Sequence, residues 1–144
     1  MNNIKLEDCT LIVTVGLPRS GKSTWARVQN HPIVCLGSIR YALHGERFIA
    51  ISEPYVWAIA GTMVDALFLA GHQYVILDET NTTKKCRDYW VNNRYKTLFK
   101  VFSTTKDECI ARAVALNDES IIPIIESMAD NYEYLSYKEL KMSI

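Results

Sequence analysis

The stretch GLPRSGKSTW, residues 16–25, contains the residue types and spacing best suited to chemistry in this chain. Gly16, Gly21, Lys22 and Ser23 fit the pattern G-x-x-x-x-G-K-[ST]. Such glycines let successive backbone N–H groups point into one concavity, and a helix beginning there adds partial positive charge. The lysine would contact β- and γ-phosphates, and the serine hydroxyl would bind Mg²⁺. The loop therefore predicts phosphate binding by Gly16, Leu17, Pro18, Arg19, Ser20, Gly21, Lys22, Ser23 and Thr24.

A second candidate is Asp78, the carboxylate at the end of the apolar stretch YVILD. An acid in that place can hold Mg²⁺ through water or accept a proton from an attacking hydroxyl. The alternative is a carboxylate that only caps the turn DETNT, as Asp beside Asn often does. The upstream phosphate loop favours the functional interpretation. The next residue, Glu79, is expected to point away from the site.

Arg40 and Glu53 are weaker candidates on the acceptor side. Arg40 follows the end of an apolar strand and could clamp an anionic acceptor through two N–H groups, although a surface arginine would also fit. Glu53 opens a long predicted helix, and its charge could serve only to complement the helix dipole.

The elements that position these residues alternate between strand and helix. Apolar, β-branched runs predict strands over 10–15, 32–36, 74–78 and 97–102. Helices are predicted from Lys22 to Gln29, over 38–45, after a Ser52 cap, from Asn81 or Thr82, from Thr105 to Arg112, and from Pro123. The helix after Ser52 is predicted to have one apolar face, Val56, Ile59, Ala60, Met63, Val64 and Leu67, and the last helix an inward stripe, Ile125, Met128, Tyr132 and Leu135. The alternation predicts an α/β fold, a three-layer sandwich with a parallel sheet of four to five strands between helices. Ligands of such sheets bind at the carboxyl ends of the strands.

The composition indicates one globular domain over residues 1–144 without a strongly basic tail. The chain has 16 Lys and Arg against 16 Asp and Glu, and about half its residues are apolar. Its four cysteines show no C-x-x-C spacing, which is typical of reduced thiols. The N-terminal MNNIKLEDC lacks the layout of a signal peptide, and no window resembles a membrane span. We therefore expect a cytoplasmic protein without a membrane partner; the oligomeric state stays open.

The charges are segregated along the chain. Residues 82–100 contain six Lys and Arg against one Asp, whereas residues 107–139 are mainly acidic. The basic segment could bind a polyanion, or the two segments could simply be solvated helix faces. Within the basic segment Arg87 is the candidate for the nucleotide side.

The motifs GLPRSGKSTWA and VILDETN together resemble the P-loop kinases that include phage polynucleotide 5′-hydroxyl kinases. The resemblance extends from about Leu11 to Tyr134, through IRYALHGERF, SEPYVW and IARAVALN. It implies the P-loop NTPase fold, ATP and Mg²⁺ as cofactors, and transfer of phosphate to a hydroxyl. The implied acceptor is the 5′ end of a nucleic acid, a nucleotide or a small molecule. Nothing matches D-x-D-G-T, the motif of the phosphatase domain in the full end-healing enzymes.

The resemblance also implies roles for individual residues. Lys22, Asp78, Arg40 and Arg112 would be catalytic, and Ser23 with Asp78 would hold Mg²⁺. Arg112 would lie at the base of a lid over about 112–122. The acceptor would contact Arg40, Glu53, Asn81 and Arg87.

Two positions depart from the family pattern. The family's general-base Asp, three residues before Arg40, is replaced by Gly37, and a second lid arginine is replaced by Leu116. Arg19 or Arg112 could supply the missing cation, and Asp78, Glu53 or His44 the missing base. The departures leave two alternatives open, a nucleotide-binding module with little transfer activity and a simple NTPase.

Overall fold

The computed structural model describes residues 4–144. The first three residues, which begin the N-terminal segment considered above, lie outside that range. Within residues 4–144 there are four strands: β1 (Thr10–Val15), β2 (Ile33–Cys35), β3 (Tyr74–Asp78) and β4 (Lys96–Val101). The α-helices are α1 (Lys22–Arg27), α2 (Leu36–His44), α3 (Glu53–Leu69), α4 (Lys84–Tyr89), α5 (Lys106–Ala115), α6 (Ile122–Asp130) and α7 (Tyr137–Leu140). Short 3₁₀ helices cover Leu6–Asp8, Ala50–Ser52 and Glu119–Ile121.

The four strands form one parallel sheet in the order β2-β3-β1-β4. The central β1 is buried throughout its length, because helices cover the sheet on both faces. Val13 and Val15 pack in a cluster that includes Val56 and Val64 of α3. Ile12, the residue before Val13, packs instead with helix α1 on the opposite face. The predicted fold class, an α/β P-loop sandwich with a parallel sheet, is confirmed.

The register brings the chemistry-bearing segments to one edge of the sheet. Cys35, the last residue of β2, pairs with Asp78, the last residue of β3. Strand β1 lies beside β3 and ends in the phosphate loop. The carboxyl ends of three strands therefore lie together at one edge of the sheet, where ligands of such sheets bind.

The structure corrects several predicted helix boundaries. Ser52 makes no side-chain cap on α3, and the next helix is capped by Thr83 rather than begun at Asn81 or Thr82. Helix α6 begins near Pro123 but ends at Asp130, and a capping box at Ser136 starts the unpredicted α7. Local turn and cap geometry, which periodicity does not encode, decides these ends.

Helix α3 also differs from its predicted apolar face. Val56, Ala60, Val64 and Phe68 are buried against the sheet. Ile59 and Met63, predicted to share that face, are among the exposed large apolar side chains. The residues that contact the sheet are thus spaced four apart, whereas Ile59 and Met63 line a pocket between α3 and α2. No helix within residues 4–144 is long and apolar enough to cross a membrane.

Candidate active site

The phosphate loop connects β1 to α1 and has the backbone geometry of an anion cradle. Gly21 precedes α1 with φ 100°, and Arg19 has φ 67°. These left-handed conformations turn successive N–H groups toward one side of the loop. At Gly16 an added Cβ would lie 2.6 Å from Ser20 Oγ and 3.0 Å from Phe102 Cβ. A side chain at position 16 would therefore displace the loop.

Lys22 begins α1 and is buried beneath the loop. Its Nζ donates to the carbonyl of Leu17 at 2.6 Å and to Ser20 Oγ at 3.4 Å. Burial lowers the pKa of Lys22, while the charges of Asp78 and Glu79 act in the opposite direction. A polyphosphate in the cradle would supply the negative charge that this desolvated ammonium lacks. The loop therefore fits the phosphate groups of a nucleotide.

Ser23 and Asp78 meet across the loop and the end of β3. The Ser23 hydroxyl donates to Asp78 Oδ2 at 2.6 Å, and the carboxylate is buried. A hydroxyl and one carboxylate, completed by waters and phosphate oxygens, suit Mg²⁺ in phosphate-transfer sites. These two residues therefore fit the predicted cation.

The turn after β3 is attached to β1 through Thr14. Its hydroxyl donates to the carbonyl of Glu79 at 2.7 Å and accepts from the Glu79 N–H at 3.1 Å. Asn81, with φ 47°, donates from Nδ2 to the Thr14 carbonyl at 2.9 Å. The Asn81 side chain thus braces the turn that orients Asp78 and Glu79.

Arg40 lies on α2 between two carboxylates. Its guanidinium contacts Glu53 through Nε at 3.0 Å and Nη2 at 2.7 Å, and Glu79 Oε2 at 2.8 Å. Burial by itself lowers the pKa of Arg40, but the hydrogen bonds that Arg40 donates to Glu53 and the charge of Glu79 outweigh it and raise the pKa. Glu79, expected to point away from the site, instead faces it through this contact.

The segment between α5 and α6 lies against the phosphate loop. Arg112 donates from Nη1 to the carbonyl of Arg19 at 3.2 Å. Asp118 accepts from Arg19 at 2.6 Å and from Arg47 at 3.1 Å. The Arg19 hydrogen bond lowers the pKa of Asp118, and Arg47 acts in the same direction. Leu116, in the family's second lid-arginine position, is exposed.

One open cleft of about 740 Å³ joins most of these groups. Among the predicted residues, it is lined by Pro18, Arg19, Gly21, Lys22, Ser23, Thr24, Arg40, Asp78 and Arg112. It is also lined by the two departures from the family pattern, Gly37 and Leu116, and by two carboxylates that sequence reasoning did not assign to the site, Glu79 and Asp118. Two features of the sequence could have indicated these carboxylates: Glu79 directly follows Asp78, and Asp118 lies within the predicted lid.

Arg87 and Glu53, both predicted to contact the acceptor, do not line this cleft. Arg87 is fully buried, and its Nε donates to Glu139 at 2.6 Å while Nη1 donates to the Asn81 carbonyl at 3.1 Å. Glu53 acts on the cleft through Arg40. Other cations of the basic segment form exposed pairs, Lys84 with Asp88 and Arg94 with Asp65.

A second pocket of about 600 Å³ adjoins Ser23 and Asp78 between α2 and α3. Apolar side chains dominate its lining: Ile33, Ile39, Ala42, Leu43, Ile59 and Met63. The exposed face of α3 noted above therefore borders a cavity that opens beside the predicted metal ligands.

Comparison with known proteins places this geometry among P-loop folds. A family described as AAA domain matches residues 11–123. A chain of the Pnkp1/Rnl/Hen1 complex is 26% identical with a TM-score of 0.65, and the match covers 78% of this chain and 41% of that one. A chain of the Pnkp1/Rnl/Hen1 RNA repair complex is 18% identical with a TM-score of 0.63, covering 92% and 49%. The present chain thus spans less than half the length of these two.

A third similar structure is a gluconokinase from Sinorhizobium meliloti 1021. It is 14% identical with a TM-score of 0.61, and the match covers 96% of this chain and 82% of that one. Identity this low shows a shared fold alone. No curated protein sequence matches the chain significantly. The matches confirm the predicted resemblance to P-loop kinases.

Proposed function

The chain belongs to the AAA-domain family, and we propose that it is a phosphotransferase that moves the γ-phosphate of ATP to a hydroxyl group with Mg²⁺. The leading acceptor is the 5′-hydroxyl of a nucleoside unit, in a nucleic acid or a nucleotide. The P-loop kinase fold supports the general reaction. The resemblance to polynucleotide kinases and the match to a chain of the Pnkp1/Rnl/Hen1 complex support the acceptor class.

The observation that carries the proposal is the contact between Ser23 Oγ and Asp78 Oδ2 beside the buried Lys22. Ser23 and Asp78 would hold Mg²⁺, which neutralises charge on the phosphates during transfer. Lys22 and the loop N–H groups would bind the triphosphate. Arg19, which also pairs with Asp118, and Arg112 line the same cleft, and we assign them to the negative charge of the transferred group.

The base position needs a separate account because Gly37 carries no carboxylate. Asp78 lines both the cleft and the adjoining pocket, so it is the carboxylate that could meet a hydroxyl entering from that pocket. Phosphoryl transfer has a loose transition state and depends mainly on positioning and charge neutralisation. The reaction therefore tolerates a weak base better than a misplaced acceptor.

The proposal is tested by incubating the protein with γ-labelled ATP, Mg²⁺ and a panel of acceptors. The panel holds 5′-hydroxyl oligonucleotides, nucleotides, nucleosides and small hydroxyl compounds, with Lys22→Ala as the blank. We expect label on an acceptor with wild type and none with the variant. Release of the label only as inorganic phosphate would show that the protein is an NTPase and not a kinase. Equal transfer by wild type and Lys22→Ala would contradict the proposal.

A nucleotide-binding module with little transfer activity is the second candidate, favoured by Gly37 and by exposed Leu116 at the lid. We predict that Gly37→Asp raises the transfer rate by about 10²-fold, the lower range for a general base. An added Cβ at Gly37 meets only Cys35 Sγ at 3.7 Å, which is an ordinary contact, so the backbone there accommodates a side chain. Initial rates of label transfer measure the effect, and Gly37→Asn, which adds a side chain of the same size without the carboxylate, is the matched control. An unchanged rate with robust wild-type transfer would reject the module and show that another group already serves as base.

A further inference from the structure

Arg19 is an unusual residue for its place in the phosphate loop. Its backbone has φ 67°, in the left-handed region that residues other than glycine rarely adopt. Its side chain lines the nucleotide cleft together with Lys22 and Arg112. A strained backbone conformation that surrounding contacts maintain is characteristic of functional sites. The Arg19 guanidinium is therefore a candidate for a role at the phosphates.

The segment between α5 and α6 holds the Arg19 side chain by one edge of its guanidinium. Asp118 Oδ2 accepts from Arg19 Nη2 at 2.6 Å. Within residues 4–144, Nε and Nη1 of Arg19 have no hydrogen-bond partner. A guanidinium is a planar fork that can bind a carboxylate and a phosphate at the same time through different nitrogens. The contact with Asp118 thus orients Arg19 and leaves two of its nitrogens for an anion in the cleft.

Both oxygens of the Asp118 carboxylate are used. Oδ2 pairs with Arg19, whereas Oδ1 accepts from Arg47 Nη2 at 3.1 Å and from the Ser120 hydroxyl at 3.3 Å. Only 21% of the Asp118 side chain is exposed, against 37% and 38% for the two arginines. Two cations face one carboxylate, so the group has a net positive charge beside the cleft. Such a group attracts a phosphate rather than repelling it.

The backbone around Asp118 is anchored to the phosphate loop as well. The Asp118 N–H donates to the Ala113 carbonyl at 2.9 Å, near the end of α5. Ile121, three residues later, packs in one apolar cluster with Ala113 and with Leu17 of the phosphate loop. The carboxylate is therefore held next to the loop before any ligand binds. A group held in this way directs its partner without reorganisation at the moment of reaction.

We propose that Asp118 is a positioning residue for phosphate transfer, which holds the Arg19 guanidinium so that Nε and Nη1 bind the γ-phosphate during transfer. The inference rests on the proposed function. It assigns the compensating cation to the phosphate loop and its orienting carboxylate to the lid, where the family pattern has an arginine in place of Leu116.

The proposed role requires no covalent chemistry of Arg19. The acceptor oxygen forms a bond to the γ-phosphorus as the bond to the oxygen that bridges the β- and γ-phosphates breaks. The hydroxyl proton goes to Asp78 or to water, and ADP leaves. Arg19 stabilises the negative charge on the γ-phosphate through this step, while Asp118 keeps the guanidinium in place.

Initial rates with γ-labelled ATP and the acceptor that wild type prefers test the proposal. We expect Arg19→Met to lower kcat by about 10²-fold, because Lys22 and Arg112 remain as cations. Asp118→Asn keeps the size of the side chain and removes its charge. We expect it to lower kcat by about tenfold with little change in the KM for ATP, because Lys22 and the loop still bind the triphosphate. Asp130→Asn, at the exposed end of α6, is the matched control and should keep the wild-type kcat.

A double variant separates positioning from a structural role. If Asp118 acts through Arg19, Asp118→Asn should change kcat by less than about twofold in the Arg19→Met background. Arg47→Met removes the other arginine partner of Asp118 and should lower kcat less than Asp118→Asn does, because Arg47 does not line the cleft. Losses that multiply in the double variant would overturn the proposal. A loss for Arg47→Met as large as that for Asp118→Asn would also overturn it.

The remaining outcomes separate this proposal from the proposed function. Rates are expressed per nucleotide-binding site, counted by calorimetric titration with ADP, so partial loss of folded protein does not alter the comparison. Wild-type or faster transfer by Asp118→Asn would overturn the role of Asp118 and leave the kinase intact. Absence of label on every acceptor, with wild type equal to the Lys22→Ala blank, would instead remove the proposed function and the inference that rests on it.

Discussion

Lys22→Met is expected to lower phosphate transfer by at least about 10³-fold, the size of effect that a cation on the transferring phosphates has in such enzymes. Nucleotide binding should weaken in parallel, because Lys22 is the buried cation beneath the loop. Methionine has a similar length and an apolar character, so it fills the same space. The loss would therefore report the ammonium group rather than a collapsed loop.

The same substitution is expected not to destabilise the nucleotide-free protein. Burial lowers the pKa of Lys22, so near neutral pH the folded protein holds its protonated form at a cost that the unfolded chain does not have. This cost disappears in the variant. The Leu17 carbonyl keeps its hydrogen bond from the Ser20 N–H at 3.1 Å. We expect the free energy of unfolding to be unchanged or higher by ~1 kcal/mol.

Three measurements check the Lys22 prediction: label transfer, binding of ATP by calorimetry, and urea unfolding without nucleotide. Lys106→Met, at the exposed start of α5, is the matched control and should behave as wild type in all three. If the variant transferred phosphate at more than a tenth of the wild-type rate, the loss would be smaller than ~1.4 kcal/mol. The loop would then have no essential part in catalysis. A strongly destabilised variant would assign Lys22 a structural role.

Glu139→Ala is expected to lower the free energy of unfolding by about 3–5 kcal/mol, because it leaves Arg87 charged and buried without its partner. Arg87 is fully buried, and its bonds to Glu139 at 2.6 Å and to the Asn81 carbonyl join helix α7 to the turn after β3. Glu139 also completes the capping box with Ser136. Phosphate transfer should fall as well, because the turn that orients Asp78 loses this support.

The Arg87–Glu139 pair should also make stability depend on pH. Burial alone would raise the pKa of Glu139, but the hydrogen bond from Arg87 outweighs it and holds the pKa below its ordinary value of 4.5. A carboxylate with a depressed folded-state pKa stabilises the fold above its unfolded-state value and loses that contribution as pH falls through the folded-state value. The stability difference between wild type and Glu139→Gln should therefore shrink below about pH 4.5.

Urea unfolding at pH 7 and at descending pH values measures both effects. The control is Asp65→Ala, which removes the half-exposed partner of Arg94 and should change stability by less than about 1 kcal/mol. The double variant Arg87→Met/Glu139→Leu should recover part of the loss, since an apolar pair leaves no buried charge. A loss below about 1 kcal/mol for Glu139→Ala would show that the buried pair contributes no more than a surface pair.

The phosphate loop and the sheet could be predicted from the sequence because both depend on short-range patterns. The spacing of Gly16, Gly21, Lys22 and Ser23 encodes a backbone shape that few other residues permit. Runs of β-branched residues at regular distances predicted the strands, since a parallel sheet buried on both faces leaves a continuous apolar signal. The acid at Asp78 followed from the same rule for strand ends.

The ends of helices were less predictable. The end of α6 at Asp130 and the start of α7 depend on the backbone conformation near Asn131 and on the Ser136 capping box. These are local choices of a few kcal/mol or less, and packing can reverse them. Periodicity at Tyr132 and Leu135 therefore extended the predicted helix beyond its actual end.

By itself the sequence determined the fold class, the phosphate loop and its expected ligand, because these depend on residue types at close spacing. Only the tertiary structure decided how the charged residues are paired. Arg40 pairs with Glu53 and Glu79, which lie 13 and 39 positions away in the sequence. Arg87 is the buried partner of Glu139, 52 positions away. Charge attraction acts through space, and it is strongest where burial removes water, so sequence order does not reveal which opposite charges will meet.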